Sequence, residues 1–585
     1  MAVLPSIERG IQWVPRTESV SSAPIGVPRL IWEVLNARGI ESEEAIQQWL
    51  YPSLKSMRDP LALREMDLLV DRLVRARIHQ EPLVIYADYD LDGTSGLALL
   101  LSGLRAMGFE DVSYYQPKRL TEGYGLHSAA IEMLYRDRGR RILLSVDLGI
   151  TAVEEVKFAS SLGMDVLITD HHLPKEVLPE AIAVVNPNRG NCDSGLGHLC
   201  GTGVAFYLIL ALRRALMENG ILATPAFDPK ELLDCFAIGT LTDMVPLIDE
   251  NRVLVRHGLL QLAKTKRPGL RLLLQALGLW GNSLTSQDVA IRFAPKLNAL
   301  SRMDTGIMPI DLYLVETESE AQKMVDEVLA NNAVRQASQK QAESLALDML
   351  TNEPPTNYIF VYSEKFHRGV VGLVATRLCQ DYGLPCFVGS LESETGQIVG
   401  SVRMPDGTSV NALDAMSPAA DVLDHFGGHA MAAGFELSIH RTSVFRERLS
   451  EFFSTQDQSE PLSKTWVYDA EASLLEFSSA FMAWYENLGP FGVQFAAPLF
   501  KITRVDLTQV RSLKGGHLRL TLRENSNSRG FVALSGLWFS PPKENPLTHL
   551  KLVGGEKVDA LVEPQWNYFA GKKTLQLLIH DVKLC

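Results

Sequence analysis

Acidic residues and histidines stand directly after three apolar runs in the first half of this sequence. Asp88, Asp90 and Asp92 follow the run PLVIYA with a spacing of two, and Asp147 ends the run RRILLSVD. Asp170, which two histidines follow, ends the run MDVLITD. Carboxylates are hard ligands suited to Mg²⁺ or Mn²⁺, and imidazole favours Mn²⁺. These residue types predict a divalent-metal site, and an exposed acidic turn with solvated histidines is the alternative.

The first acidic group also matches the beginning of an EF-hand calcium loop, but that interpretation fails. An EF-hand requires a bidentate glutamate at the twelfth position, where this sequence has Leu99. A fourth acid, Asp243, lies among apolar residues in GTLTDMVPL, where a helix cap or an arginine partner is the alternative. Carboxylates in such surroundings are costly unless they are paired or bind a metal.

The pattern around these residues predicts a parallel sheet that positions them. Apolar runs over residues 82–90, 140–147, 164–170 and 181–187 are typical of strands, with helical stretches between them. Continuous apolar strands that alternate with helices indicate a parallel sheet covered on both faces. Ligands bind such sheets outside the carboxyl ends of the strands, where these acids and histidines stand.

The composition is that of a globular protein with several domains. The chain has 585 residues, 46% hydrophobic and 21% charged, which predicts roughly three to five domains. Its apolar stretches, such as residues 204–212, are shorter than the ~18 residues that cross a membrane. No signal peptide is apparent, and six cysteines without a CxxC pair favour a reducing cytoplasm. The net charge of −13 argues against nonspecific coating of nucleic acid, but a nuclease whose metals neutralise clustered carboxylates is compatible with it.

The remaining segments predict a helical lead-in, a long connecting helix and two further domains. Residues 317–350 contain no Gly or Pro and many helix formers. Short β-rich runs separated by turn residues near the C-terminus indicate a small barrel. The predicted segments are a lead-in over 1–55, an α/β domain over 56–300, the connecting helix over 301–352, a second α/β domain over 353–455 and the barrel over 456–585.

Four acidic motifs of the chain resemble those of a known superfamily. In chain order they are DYDLDG, SVDLGI, TDHH and GTLTDMVPL, and they are similar to the motifs of DHH phosphoesterases. Further segments, among them PKRLTEGYGL, GTGVAFYL, PKLNALSRMD and FGGHAMAAGF, resemble the bacterial RecJ family of exonucleases within it. The resemblance covers nearly the whole chain. It implies two α/β domains, DHH and DHHA1, joined by a long helix around a catalytic cleft, and a C-terminal OB-fold barrel.

The resemblance also implies an activity. It is that of a metal-dependent exodeoxyribonuclease that degrades single-stranded DNA from 5′ to 3′, releases 5′-mononucleotides and acts in DNA recombination and mismatch repair. Two divalent cations are implied, and the more favoured metal is Mn²⁺, followed by Mg²⁺. A pair of cations about 3.5–4 Å apart can clamp the attacking and leaving oxygens of the reaction. The implied catalytic residues are Asp88, Asp90, Asp147, His171, His172 and Asp243. The implied metal ligands are Asp88, Asp90, Asp92, Asp147, His171 and Asp243, with Asp147 as the bridge.

Two further groups are implied to hold the DNA. The substrate-binding residues are Arg119, Arg302, Ser401, Arg403 and His429, because arginine forks bind phosphate bidentately and a cluster can recognise a 5′-phosphate. The residues implied to stack and bind single-stranded bases are Trp566, Tyr568, Phe569, Lys572 and Lys573. Ordinary surface arginines, a packed loop histidine and barrel-core aromatics are the alternatives. Single-strand-binding protein and a repair helicase are the implied protein partners of a monomer.

The sequence departs from the family pattern at three places. Tyr86 stands where many relatives have a histidine, which predicts weaker binding at one metal site. Leu300 and Ser301 replace small residues, which predicts a shifted Arg302, and PFGVQF lacks the usual Gly-Asn after PFG. Two other functions remain open: a DHH phosphoesterase acting on short oligonucleotides or dinucleotides, and an inactive DNA-binding relative, which would require lost ligands.

Overall fold

The computed structural model describes residues 11–17, 26–223, 227–303, 306–456, 465–526, 530–542, 555–569 and 572–585. The strands are β1 Gln12–Pro15, β2 Leu83–Ala87, β3 Val112–Tyr115, β4 Ile142–Val146, β5 Asp165–Thr169, β6 Ala183–Val185, β7 Ile359–Ser363, β8 Cys386–Glu392, β9 Gln397–Arg403, β10 His425–His429, β11 Ala432–Ser438, β12 Thr465–Tyr468, β13 Ala470–Glu471, β14 Phe500–Ser512, β15 Leu518–Ser526, β16 Gly530–Trp538, β17 Glu556–Phe569 and β18 Lys572–Leu584. The helices are α1 Arg29–Ala37, α2 Glu43–Leu50, α3 Met66–His79, α4 Leu91–Ala106, α5 Ser128–Arg136, α6 Val153–Leu162, α7 Gly201–Glu218, α8 Leu233–Thr242, α9 Asp249–Leu262, α10 Pro268–Ala276, α11 Ala294–Arg302, α12 Pro309–Leu314, α13 Glu318–Asn352, α14 Val371–Tyr382, α15 Ala412–Met416, α16 Thr442–Thr455 and α17 Ser479–Leu488.

The first sheet is the predicted parallel one. Its strands lie in the order β3-β2-β4-β5-β6, and every pairing in it is parallel. All residues of β2 and β4 are buried, because α4 and α7 cover one face and α5 and α6 cover the other. The four predicted strands are confirmed. The edge strand β3 was not predicted, because it is only four residues long, three of them partly exposed, and it lacks a continuous apolar run.

A single long helix joins the first sheet to the second. α13 has 35 residues and spans roughly 50 Å at 1.5 Å per residue. Val325 and Val328 in its first half pack into the core of the first domain, while Ala342 and Ala346 in its second half pack into the second. The short helix α12 precedes it, so only part of 301–352 belongs to the connection itself.

The second α/β domain has a mixed sheet in the order β10-β11-β9-β8-β7. Only β7 and β8 pair in parallel, and the other pairs are antiparallel. α14 packs on β8 and β9. This packing brings the first turn of α14 next to the end of β9, where two of the predicted substrate-binding residues lie.

The C-terminal strands form a closed barrel, as the resemblance implied. The order is β14-β15-β16-β18-β17, and β17 pairs with β14 to complete the circle. Closure removes the exposed edges of the sheet. Phe500, Leu520 and Trp538 fill the barrel interior.

The lead-in is not purely helical, which corrects the prediction for residues 1–55. β1 pairs in parallel with β12, more than 400 residues later in the chain. Four residues cannot display a strand period, and their partner is remote, so no local pattern indicates this strand. Leu30, Val34 and Leu35 of α1 belong to the same hydrophobic core as the barrel. The lead-in therefore packs as part of the C-terminal domain.

The C-terminal domain also docks on the first α/β domain. The buried Arg252 of α9 donates to the carbonyl of Leu488 at 2.8 Å and lies 4.0 Å over the Trp49 ring. The Leu247 amide donates to the Val493 carbonyl at 3.0 Å, so the PFGVQF segment is part of this interface. Among the helices that the structure describes, none is long and apolar enough to cross a membrane.

Candidate metal centre and phosphate seat

The predicted metal ligands meet at the carboxyl end of the first sheet. Asp88 follows β2, Asp147 follows β4, the two histidines follow β5, and Asp243 caps the end of α8. Their ligand atoms form three groups, each within 4.8 Å. The groups are Asp88 with Asp90 and Asp147; Asp147 with His171 and His172; and Asp92 with His171 and Asp243.

Asp147 and His171 lie at the middle of this arrangement. The Nε2 atom of His171 is 3.2 Å from Asp147 Oδ1 and 3.6 Å from Asp243 Oδ2. Asp147 shares one group with Asp88 and another with the histidines. Its carboxylate is therefore placed to contact two neighbouring cations, as the bridging hypothesis requires.

The backbone at Asp147 is strained. Its φ is 64°, in the left-handed region that non-glycine residues rarely adopt. Such strain costs about 1–3 kcal/mol and concentrates at functional sites. The Asp147 amide donates to the Thr169 carbonyl at 3.0 Å, which ties the turn after β4 to β5.

Asp92 has a second role that the sequence did not reveal. Its carboxylate accepts hydrogen bonds from the backbone amides of Gly201 at 2.7 Å and Thr202 at 2.9 Å, at the first turn of α7. Asp92 Oδ2 also lies 3.8 Å from His171 Nε2. The positive end of a helix favours a carboxylate, so α7 is fixed against the metal centre by this acid. In the sequence, the only indication of this contact between Asp92 and α7 is the GTG motif at the start of an apolar helix.

Asp170 is a functional residue that the prediction left out of the site. Its carboxylate accepts from His172 Nδ1 at 2.8 Å and from the backbone amides of Ile150 and His171 at 2.9 and 2.7 Å. Although burial opposes the change, the hydrogen bond from His172 lowers the pKa of Asp170. The same hydrogen bond raises the pKa of His172 to about 9 against the effect of burial. Asp170 therefore orients the second histidine.

The remaining carboxylates repel one another. Burial, followed by the charges of Asp92 and Asp90, raises the pKa of Asp243 to about 9. The same causes, in the same order, raise the pKa of Asp147 far above its ordinary value, and burial lowers the pKa of His171. Four buried atoms of this cluster have no hydrogen-bond partner among the described residues: Asp88 Oδ1, Asp147 Oδ1, His171 Nε2 and Asp243 Oδ2. Oxygen and imidazole donors left unpaired in one acidic cluster fit divalent cations, Mn²⁺ in particular.

Tyr86, the departure from the family pattern, lies in the hydrophobic core. Its ring packs 5.0 Å from the ring of Tyr115, on the face of the sheet that α5 and α6 cover. The phenol replaces an imidazole there, and burial raises its pKa, so Tyr86 supplies no ionised ligand at neutral pH.

Four predicted substrate-binding residues come together from both α/β domains. Arg403 Nη1 donates to Ser401 Oγ at 2.7 Å. Arg119 lies 5.2 Å over the ring of Tyr89, the residue between two of the metal-centre acids. Burial, followed by the charges of Arg119, Arg335 and Arg403, lowers the pKa of Arg302 to about 10. We call Arg119, Arg302, Ser401 and Arg403 the phosphate seat.

The α14 helix begins against this seat. A Cβ at Gly372 would lie 3.2 Å from Arg403 Nη2 and 3.3 Å from Ser401 Oγ, so the first turn of α14 touches both. Backbone amides at a helix start add to the attraction of an anion. His429 is exposed on β10, and Ala432 of β11 pairs with both His429 and Arg403, so the three residues lie side by side across the sheet.

The predicted stacking residues lie at one end of the barrel, partly covered by their own neighbours. Lys573 Nζ lies 4.3 Å over the Trp566 ring and 5.7 Å over the Tyr568 ring. Trp566 Nε1 donates to Glu486 at 2.6 Å. Lys572 is exposed, whereas the side chain of Phe569 lies outside the described residues. Lys573 therefore covers part of the Trp566 ring, whereas Tyr568 is 38% exposed.

Family models match the chain in the order of its domains. The DHH family, N-terminal domain, matches residues 82–240; the DHHA1 domain matches 356–455; and the RecJ OB domain matches 468–581. The single-stranded-DNA-specific exonuclease RecJ of Salmonella typhimurium is 31% identical over 580 residues, which cover 97% of this chain and 97% of that protein. The chain belongs to the RecJ family.

Other RecJ proteins agree in sequence and in fold. RecJ of Bacillus subtilis is 31% identical over 555 residues, covering 94% of this chain and 67% of that protein. RecJ of Thermus thermophilus in complex with Mn²⁺ has a TM-score of 0.75 at 26% identity, covering 99% of this chain and 80% of the other. Exonuclease RecJ bound to manganese has a TM-score of 0.59 at 31% identity, covering 69% of this chain and 99% of the other. The RecJ fold thus extends over all three domains.

Proposed function

We propose that this RecJ-family chain is a single-stranded-DNA-specific exonuclease. It hydrolyses phosphodiester bonds with two divalent cations, Mn²⁺ or Mg²⁺, digests from 5′ to 3′ and releases 5′-mononucleotides. The observation that carries this proposal is the convergence of five aspartates and two histidines, with Asp147 shared, directly beside the phosphate seat. Relatives named single-stranded-DNA-specific exonuclease RecJ match nearly the whole chain.

The residues divide between two cations. Asp88, Asp90 and Asp147 would hold one, and Asp92, His171 and Asp243 the other. Asp147 would contact both cations, because its Oδ1 lies 3.2 Å from His171 Nε2. Bound cations polarise the phosphate and lower the pKa of water, so no nucleophilic side chain is needed. The chain itself contributes the placement: Asp170 holds the ring of His172, and the start of α7 holds Asp92.

The phosphate seat explains the proposed polarity. Arg119 is close enough to Asp88 that its charge acts on that carboxyl, so the seat and the metal centre are neighbours. A terminal 5′-phosphate held by arginine forks would place the next phosphodiester at the metals. Cleavage there would release one nucleotide at a time.

The other two domains account for the strand requirement. The seat takes residues from both α/β domains, so DNA must enter the cleft between them, and a duplex is much wider than one strand. The closed barrel would add affinity for single strands. We extend the proposal to recombination and mismatch repair in the cytoplasm, with single-strand-binding protein and a helicase as partners of a monomer. We propose the same domain boundaries as the sequence predicts, except that residues 1–55 and 456–585 together form one C-terminal domain.

The deciding experiment compares two labels on one strand. Full-length protein with Mn²⁺ should release labelled mononucleotide at once from a 5′-labelled 40-residue single strand. The 3′-labelled strand should instead shorten progressively. The reverse pattern would contradict the polarity, and cleavage confined to dinucleotides or very short strands would favour the smaller DHH phosphoesterases instead.

A further inference from the structure

Basic side chains continue beyond the phosphate seat to the helix that joins the two domains. Lys296 lies on α11 with Arg302, and Arg335 lies on α13, against which α11 packs. The Arg335 guanidinium donates to Asn332 at 3.2 Å and Gln339 at 2.8 Å, both neutral. Its Nε is buried and has no hydrogen-bond partner in the described chain. Lys296 lies in the PKLNALSRMD segment but was not among the predicted substrate-binding residues, and no sequence pattern indicated Arg335.

Within the residues that the structure describes, Lys296 and Arg335 have no acidic partner: no carboxylate is among the groups that act on either side chain. Arg292, one turn before Lys296, is by contrast paired with Asp288 at 2.9 Å. Burial, and then the charge of Arg335, lowers the pKa of Lys296. Partly buried cations that repel one another are costly unless an anion joins them. In a chain of net charge −13, such a group indicates an anionic ligand.

The cations extend the phosphate seat along α11 and α13. Arg119 acts on Asp88 of the metal centre, and Arg302 feels Arg119, Arg403 and Arg335. The charges of Arg335 and Arg292 act on the pKa of Lys296, and those of the phosphate-seat arginines are not among its causes. Lys296 lies six residues before Arg302, about 9 Å along α11, and Arg335 lies on α13, which packs against α11. These two cations therefore lie beyond Arg302 along the two helices. A ligand that occupies the seat and reaches them must carry further negative charge beyond the terminal phosphate.

We propose that Lys296 and Arg335 bind the additional phosphates of a 5′-triphosphate end, so that strands with 5′-polyphosphates are substrates. The inference rests on the proposed function, because the phosphate attached to the sugar must occupy the phosphate seat. The two outer phosphates then extend toward α13. Lysine and arginine are the side chains that bind such groups most strongly.

The reaction at such an end needs only water. Water forms a bond to the phosphorus between the first and second nucleotides, and the bond from that phosphorus to the 3′-oxygen breaks. One proton of the water passes to the 3′-oxygen and the other to solvent. The first product is therefore a nucleoside 5′-triphosphate, and the shortened strand ends in a 5′-monophosphate.

The test uses three single-stranded DNAs of one sequence, with a 5′-hydroxyl, a 5′-monophosphate or a 5′-triphosphate. Full-length protein with Mn²⁺ should release nucleoside triphosphate first from the third strand, with kcat/KM within about threefold of the monophosphate and well above the hydroxyl. Lys296→Gln and Arg335→Gln should each lower the triphosphate-to-monophosphate ratio of kcat/KM about tenfold. Arg292→Gln, exposed and paired with Asp288, is the matched control and should leave the ratio unchanged.

Two results would overturn the inference. Wild-type protein that treats the triphosphate end no better than the hydroxyl end lacks the site. If Lys296→Gln and Arg335→Gln lowered kcat/KM by equal factors on the monophosphate and triphosphate strands, the two side chains would contact internucleotide phosphates instead. Arg335→Lys keeps the charge and serves as a second variant in case Arg335→Gln does not fold. Its triphosphate-to-monophosphate ratio of kcat/KM should stay above that of Arg335→Gln. Failure of the phosphate seat itself is visible separately, because the wild type would then not distinguish monophosphate from hydroxyl.

Discussion

Asp147 and Gly201 approach so closely that a methyl group at position 201 would lie 2.5 Å from the Asp147 Cβ. Gly201 is the first residue of α7, and Asp147 belongs both to the ligand group of Asp88 and Asp90 and to that of the two histidines. No real Cβ contact is this short, so only glycine allows the start of α7 to lie against the strained turn. The GTG motif is thus a packing requirement of the metal centre.

Gly201→Ala should disable the metal centre without unfolding the domain. The added methyl must push Asp147 or α7 aside, and a misplacement of about 1 Å can cost roughly a hundredfold in rate. We expect weaker Mn²⁺ binding by calorimetry and a comparable fall in kcat. Gly190→Ala is the control, because a Cβ there meets nothing within 4 Å. Unchanged metal affinity in Gly201→Ala would show that the contact is relieved elsewhere.

Asp147→Asn should abolish cleavage while leaving the fold and DNA binding intact. The amide keeps the volume but cannot bridge two cations, so less than about a hundredth of the activity should remain. EDTA should inactivate the wild type, and Mn²⁺ should restore it. The exposed Asp137→Asn serves as the control. Substantial turnover by Asp147→Asn would contradict the shared-ligand assignment.

Metal-free protein should lose stability as pH rises. The folded pKa of Asp243 is raised to about 9 by burial and by Asp92, whereas an unfolded Asp titrates near 3.9. A raised folded pKa gives stability that is full below about pH 4 and lost as pH approaches 9.

Thermal melts in EDTA, compared with Asp243→Asn, isolate this effect. The wild type should lose roughly 2–4 kcal/mol relative to the variant between pH 4 and pH 9, after allowance for solvent access to the carboxyl. Excess Mn²⁺ should reverse the loss in the wild type and do less in the variant. Parallel melting curves for both proteins across this range would refute the expected repulsion.

Arg403→Ala should reduce the preference for a 5′-phosphate over a 5′-hydroxyl. A charge-assisted hydrogen bond contributes about 1.5–3 kcal/mol, so the ratio of kcat/KM for the two ends should fall at least tenfold. Arg377→Ala is the control in the same domain, since Arg377 is exposed and paired with Asp381. An unaltered ratio in Arg403→Ala would place the 5′-phosphate elsewhere.

Removal of the barrel should require removal of the lead-in as well. A chain that ends at residue 456 leaves Leu30, Val34 and Leu35 without their core and should aggregate. A chain of residues 53–456 should stay folded and cleave short oligonucleotides, with a raised KM for long strands, since stacking contributes about 1–3 kcal/mol per base. Loss of activity on both lengths in a folded protein would make the barrel part of the catalytic machinery.

The sequence predicted the sheet and the metal centre well because their signals are local. Buried parallel strands are continuous apolar runs, and each run carries its acid or histidine at its end, as at Asp88 and Asp147. The role of Asp170 depended on a hydrogen bond that only the fold forms. Arg335 looks like any polar residue of a surface helix, and β1 is four residues long with a remote partner. The barrel was expected from its β-rich runs and turn residues, and the family resemblance then identified it as an OB-fold.

The pairing of β1 with β12 constrains how the protein can fold while it is being synthesised. Arg16 and Asp469, which bond beside this pair, are 453 positions apart, and a ribosome needs about 20 to 90 s to cross that distance at 5–20 residues per second. Throughout that interval the apolar face of α1 and the ring of Trp13 have no partner, while both α/β domains can already fold. The N-terminal segment can therefore pack only after the C-terminal strands have been synthesised. A chaperone that shields this segment until then should raise the yield of folded protein.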